Sequence, residues 1–235
     1  MLLKKAKVLM LTALSIAALH VLPAGQVEAA GGYACDGSPG VYIYQDGHYS
    51  GACTRVAVGD YADLTSLGIP NDSASSIKII NNPSSGLYYE AAVYDNSNFQ
   101  GAKSTIRFGS DELGQDAVGN DRLSSLKVRT INYTEYTGVY LFEHDYYHGD
   151  WVKITANTPD LASLSFNDRA SSLLITRAAS TGQSQYKVSL YEGLGFSGRS
   201  TGTFSGDIPS LTASFQIFGK SGFNDMTSSV LVFSN

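Results

Sequence analysis

One pattern recurs four times along the chain: an aromatic residue, four residues, a second aromatic, any residue, then glycine. The copies run from Tyr44 to Gly51, Tyr94 to Gly101, Phe142 to Gly149 and Tyr191 to Gly198. Each is followed, about twenty to twenty-six residues later, by Asn-Asp-x-x-Ser-Ser, at Asn71 to Ser76, Asn120 to Ser125, Asn167 to Ser172 and Asn224 to Ser229. Two linked patterns in phase, four times over, require one structural unit repeated four times. The residues before each aromatic pair alternate or are β-rich, as in Val41 to Tyr44, Val139 to Phe142 and Val188 to Tyr191, and read as strands. The polar residues between the aromatics read as a hairpin. The glycine suits it, because glycine takes the positive φ that other residues resist. A further strand follows each Ser-Ser pair: Ile77 to Ile79, Leu126 to Val128, Leu173 to Ile175 and Val230 to Val232.

No long stretch has helical periodicity with caps, so the expected class is all-β, a sandwich of short strands and Gly, Ser, Asn and Asp turns. A link near Thr130 to Thr137 separates the first two repeats from the last two, predicting domains at 30–132 and 137–235. Repeat four carries an insertion, Gly206 to Lys220, and Ala178 to Gln185 reads as a connection within the second domain.

The beginning of the chain reads differently. Lys4, Lys5 and Lys7 precede an apolar run from Val8 to Leu22, and Val27-Glu28-Ala29 offers small residues where a signal peptidase cuts. Residues 1–29 are therefore expected to be a secretory signal, and the product secreted, with no membrane span. Removing them leaves 13 basic and 20 acidic residues, a formal charge of −7. That balance disfavours nucleic acid as a partner and favours cations. Export also places Cys35 and Cys53, the only cysteines, in oxidising conditions, and a single disulfide between them is the economical expectation. The chain is expected to be a monomer.

The doubled pattern resembles the βγ-crystallin superfamily, specifically its microbial calcium-binding members, over essentially the whole stretch from Val41 onward. The resemblance implies two Greek-key β-sandwich domains of two motifs each, every domain a pair of four-stranded sheets. Gly59-Asp60-Tyr61 resembles the family's tyrosine-corner segment, whereas Gly206-Asp207-Ile208 lacks the tyrosine. The resemblance also implies where calcium sits, with each ion drawing ligands from both motifs of a domain. The implied carboxylates are Asp72, Asp121, Asp168 and Asp225, and the implied hydroxyls are Ser75, Ser124, Ser171 and Ser228. Implied backbone carbonyls come from Ser73, Arg122, Arg169 and Met226, and from Gln45, Asp95, Glu143 and Glu192. The first-position asparagines are expected to hold the loop.

The chemistry agrees, since calcium takes six to eight hard oxygen ligands and these loops supply only oxygens. Arg122 and Arg169 are expected to weaken their sites somewhat. Against calcium stands ordinary turn chemistry, for which Asn, Asp and Ser are also suited; four intact copies favour the ion. Glu143, His144, Asp145 and His148 would suit a transition metal, but they lie in a hairpin tip where solvated polar residues are ordinary. No nucleophile-elbow or zincin pattern supports an enzyme. The expected function is a secreted, calcium-binding structural or stress protein. The rival is an effector on the same scaffold, a proteinase inhibitor or a toxin, for which the 206–220 insertion is the one candidate loop.

Overall fold

The computed structural model describes residues 35–177, 182–212 and 222–234. The expected signal segment, residues 178–181 of the expected connection and most of the repeat-four insertion, including Phe215 to Phe218, lie outside the described residues. No helix among the described residues is long and apolar enough to cross a membrane.

The strands are β1 (Gly40–Asp46), β2 (Ser50–Val56), β3 (Gly59–Tyr61), β4 (Ser76–Ile80), β5 (Tyr88–Asn96), β6 (Gln100–Ile106) and β7 (Ser125–Ile131) in the first half. The second half has β8 (Val139–Phe142), β9 (Trp151–Ile154), β10 (Ser172–Ile175), β11 (Tyr186–Gly193), β12 (Ser197–Ser200) and β13 (Ser229–Ser234). They form antiparallel sheets in the orders β2-β1-β4, β3-β7-β5-β6, β10-β8-β9 and β12-β11-β13. Each half is a sandwich of two sheets.

Neither sheet of a half is built by one repeat alone. Strand β3 belongs to repeat one in sequence but pairs with β7 of repeat two. Reciprocally, Ser110 of repeat two bridges Ile77 in β4. In the second half, Thr158 bridges Val230 and Ile208 bridges Leu173 in the same crossed manner. The expected four-stranded sheets are thus realised in full once; in the other three the fourth strand shrinks to a single bridge. At Ile208 the reason is local. The Asp207 carboxylate takes the Ile175 N–H at 2.8 Å, replacing a ladder bond. At β3, by contrast, Tyr61 is buried and its hydroxyl donates to the Ala57 carbonyl at 3.1 Å, which fixes the segment against the sheet.

Alternation decides the cores. Val41 and Ile43 on β1 meet Leu126 and Val128 on β7 inside the first half, with Leu64, Leu113 and Leu123 from the loops. In the second half, Val139 and Leu141 meet Leu173, Ile175, Val188 and Leu190. Burying each such side chain contributes roughly 1.5–3 kcal/mol. The two cores lie on either side of a short helix, Tyr133–Tyr136, whose first N–H groups are capped by Asn132 accepting from Glu135 N at 2.8 Å.

All four hairpins share one geometry. The residue before the second aromatic and that aromatic are both left-handed: His48 and Tyr49, Asn98 and Phe99, Tyr146 and Tyr147, Gly195 and Phe196. The closing glycines have φ of 75–79°, and a Cβ at Gly101 would overlap the Asp95 carboxylate. This folds the second aromatic back onto the first, with ring centroids 5.9, 5.8, 5.7 and 6.1 Å apart in chain order. The last serine of each Asn-Asp-x-x-Ser-Ser holds the fold in place. Ser76, Ser125, Ser172 and Ser229 are fully buried. Each accepts the N–H of the second aromatic at 3.0–3.1 Å and donates to a hairpin carbonyl at 2.6–2.7 Å.

Cys35 and Cys53 form a disulfide with Cα atoms 6.2 Å apart, tying the lead segment to β2. The halves meet through Arg107, Phe108, Tyr140 and Trp151. Arg107 is 5% exposed; its Nε donates to Glu90 at 2.8 Å, and its Nη1 to the Tyr140 hydroxyl at 2.9 Å and the Glu135 carbonyl at 3.0 Å. Trp151 Nε1 donates to the Thr105 carbonyl at 2.7 Å, and its ring lies 4.8 Å from the Arg107 guanidinium.

Candidate metal centres

Crossing of the third strands brings the two Asn-Asp-x-x-Ser-Ser loops of each half side by side. In every loop the aspartate is left-handed, with φ of 50–54° at Asp72, Asp121, Asp168 and Asp225. Aspartate is one of the few non-glycine residues that adopts this conformation, and such strained positions concentrate at functional sites. The aspartate N–H then reaches the fourth-position carbonyl of the partner loop: Asp72 to Leu123, Asp121 to Ala74, Asp168 to Thr227 and Asp225 to Ala170, at 3.0–3.3 Å.

That crossing delivers each carboxylate to the partner loop's serine. Ser75 Oγ lies 2.9 Å from Asp121 Oδ1 and Ser124 Oγ 3.0 Å from Asp72 Oδ1. Ser171 Oγ lies 3.1 Å from Asp225 Oδ1, and Ser228 Oγ 3.1 Å from Asp168 Oδ1. The serine N–H in turn bonds the carbonyl of the first aromatic, at Tyr44, Tyr94, Phe142 and Tyr191, over 2.8–3.0 Å. In two sites the next carbonyl joins the cluster: Asp95 O is 2.9 Å from Ser124 Oγ, and Glu143 O is 2.6 Å from Ser171 Oγ. For Gln45 and Glu192, and for the third-position carbonyls of Ser73, Arg122, Arg169 and Met226, the structure records no such approach to a serine.

The Asp72–Ser124–Asp95 and Asp225–Ser171–Glu143 clusters each crowd three oxygens around one hydroxyl hydrogen. Two acceptors cannot both be satisfied by a single hydrogen, so the arrangement suits a cation. The second carboxylate oxygen is held by the first-position asparagine, whose Nδ2 lies 2.9, 2.7 and 2.8 Å from Oδ2 of Asp121, Asp168 and Asp225. A carboxylate only accepts, so the amide nitrogen must face it.

The two third-position arginines are engaged by acidic side chains. Arg122 Nη2 pairs with Asp95 at 2.7 Å, and Arg169 pairs with Glu143 at 2.9 Å and Asp150 at 3.3 Å. Each positive charge is therefore paired with a carboxylate beside its loop. Repeat four uses Arg199 in the same role, pairing with Glu192 at 2.7 Å; bonding to Arg199 holds the Glu192 carboxyl below the usual range. These acidic side chains are occupied by arginine, while the backbone carbonyls of Asp95 and Glu143 stay against the loop serines.

Two other constellations resolve plainly. No group of three His, Cys, Asp or Glu side chains among the described residues is arranged to hold a metal, so Glu143, His144, Asp145 and His148 do not converge. Asp111, His148 and Ser110 do stand in the order of a hydrolytic triad. However, Ser110 is 3% exposed and its hydroxyl contacts a second carboxylate, Asp116, at 2.5 Å, which is not the setting of a nucleophile.

Comparison with solved structures gives domain-length matches. A βγ-crystallin domain from Flavobacterium johnsoniae is 33% identical, with 93% of that domain and 38% of this chain covered and a TM-score of 0.33. The chain belongs to the βγ-crystallin superfamily. A βγ-crystallin domain from Clostridium beijerinckii is 32% identical over 95% of its length and 38% of this chain, with a TM-score of 0.33. The N-terminal domain of Protein S is 26% identical over 97% of its length and 39% of this chain, with a TM-score of 0.34. No family model matches the chain, and no curated protein does. Each crystallin match has the length of one half of this chain.

Proposed function

We propose that this βγ-crystallin is an exported calcium-binding protein of structural or stress-related role, with residues 1–29 removed as a signal and units at 30–132 and 137–235. Each unit holds up to two ions in the paired loops. One observation carries the reading: in all four loops a left-handed aspartate crosses to the partner loop's serine, at 2.9–3.1 Å. Asp121 with Ser75, Asp72 with Ser124, Asp225 with Ser171 and Asp168 with Ser228 then form the hard-oxygen nuclei. Main-chain carbonyls and water complete a shell of six to eight. A site with one carboxylate leaves part of the ion's charge uncompensated, so affinities are expected at Kd of about 10⁻⁶ to 10⁻³ M.

The ion's role is mechanical. It joins two loops that precede β4 and β7, or β10 and β13, and these strands belong to different sheets of the same sandwich. Calorimetric titration of chelator-stripped protein tests the reading. Saturable calcium heats in that affinity range are expected, and no binding at millimolar calcium would contradict it.

A further inference from the structure

The contact between the halves contains a chain of polar groups that no calcium loop uses. His148, on the third hairpin, is 6% exposed. Its Nε2 lies 2.8 Å from Asp111 Oδ1 and its Nδ1 3.3 Å from Ser110 Oγ. Ser110 Oγ lies 2.5 Å from Asp116 Oδ2, and Asp116 Oδ1 accepts the Gly149 N–H at 3.1 Å. Asp111, Ser110 and Asp116 belong to the first half, His148 and Gly149 to the second.

Counting hydrogens along this chain fixes its protonation. Asp111 only accepts, so Nε2 must carry a hydrogen. The two contacts from Nδ1 through Ser110 to Asp116 need two hydrogens, and the serine hydroxyl supplies one. The other is a proton on Nδ1 or on Asp116. A satisfied chain therefore holds one proton beyond a neutral imidazole and two carboxylates. We propose that docking of the two halves is proton-linked: the interface closes around this one proton and loosens as rising pH removes it.

The surroundings agree. Burial pushes the Asp116 carboxyl above the usual range, against the lowering influence of Ser110, His148, Gly149 and His144. On the first hairpin, His48 Nδ1 faces the other Asp111 oxygen at 3.2 Å from an exposed position. Burial, then Asp111, pushes the nearby Tyr49 hydroxyl up to about 12, so it stays neutral throughout.

The sign follows from the proton count. With the halves apart, a solvated imidazole keeps its proton below about pH 6.5 and a solvated aspartate loses its own near 4. Between those values the two states hold equal protons, and docking is indifferent to pH. Above about pH 6.5 the docked state holds one more, and docking weakens by up to tenfold per pH unit until the cluster itself deprotonates.

Trp151 is the only tryptophan and reaches across this interface to the Thr105 carbonyl, so its emission reports docking. The decisive variant is Asp116→Asn. Its amide imitates the protonated acid, accepting from Gly149 N and donating to Ser110, which then donates to a neutral His148. In chelator, wild-type emission is expected to move to longer wavelength between pH 6.5 and 9, while Asp116→Asn stays fixed. Ser110→Ala, which breaks the chain, is expected to emit at the longer wavelength already at pH 6 and serves if Asp116→Asn does not fold. A wild-type position unchanged to pH 9, an Asp116→Asn variant that follows the wild-type curve, or a Ser110→Ala variant that keeps the docked wavelength at pH 6 would each overturn the proposal.

Discussion

Melting at a free calcium of about 100 Kd is expected far above melting in excess chelator. An ion that binds only the folded state stabilises it by RT ln(1 + [L]/Kd), about 2.7 kcal/mol per site at 100 Kd. Two sites in one sandwich give roughly 5 kcal/mol, which for a domain of this size is on the order of 20 °C. The structure shows what a bound ion would relieve in the loops. Each holds a left-handed aspartate whose carboxylate faces another acceptor-rich loop, and in two of them three oxygens share one hydrogen. Magnesium should do little, because it demands a tighter octahedron and gives up water reluctantly. Scanning calorimetry with each ion checks this, and superimposable curves in calcium and chelator would contradict it.

Arg107→Ala should be strongly damaging although it touches no calcium loop. It removes the guanidinium that pairs with Glu90 and reaches Tyr140 and the Glu135 carbonyl. Glu90 is 6% exposed and would keep only Arg129, which sits at 2.7 Å from its other oxygen and is half exposed. Stranding a buried charge costs about 3–5 kcal/mol, and the remaining arginine places this case near the lower end, about 3 kcal/mol. Replacing both partners, Arg107→Met with Glu90→Met, should recover much of that loss, since no charge is then left stranded. Denaturant unfolding of the single and double variants measures both. A double variant no more stable than Arg107→Ala would show that the guanidinium's contacts to Tyr140 and Trp151 matter more than the charge pair.

Much of this was legible because the chain repeats itself. The aromatic pairs gave the folded hairpins, and the Asn-Asp-x-x-Ser-Ser copies marked the loops that the fold brings together. The sixth-position serines carry a signal of their own. They are as constant across the four copies as the fifth, yet Ser76, Ser125, Ser172 and Ser229 lock the hairpins and face no carboxylate. The neutralised arginines were also readable by comparing repeats. Where the third position is arginine, as at Arg122 and Arg169, the residue after the first aromatic is acidic, Asp95 or Glu143; where it is Ser73, that residue is the neutral Gln45, and repeat four departs from this, with Met226 and the acidic Glu192 paired to Arg199 instead. The interface between halves was not readable. Asp111 and Asp116 fall outside both repeated patterns, His148 fills a position that the pattern leaves free, and only the packing of one half on the other brings them together.

The claim on which the rest depends is that each site takes its aspartate from one repeat and its serine from the other. Asp121→Ala removes a carboxylate, and Ser75→Arg places a cation where a hydroxyl stands 2.9 Å from that same carboxylate. Calorimetric stoichiometry and affinity for the two singles and the pair decide the matter. Shared sites predict that each single variant loses one and the same site in the first half, and that the double loses no more than either. Asp168→Ala, in the other half, should add its loss independently. If Asp121→Ala and Ser75→Arg abolish two different sites, the cross-repeat assignment is wrong.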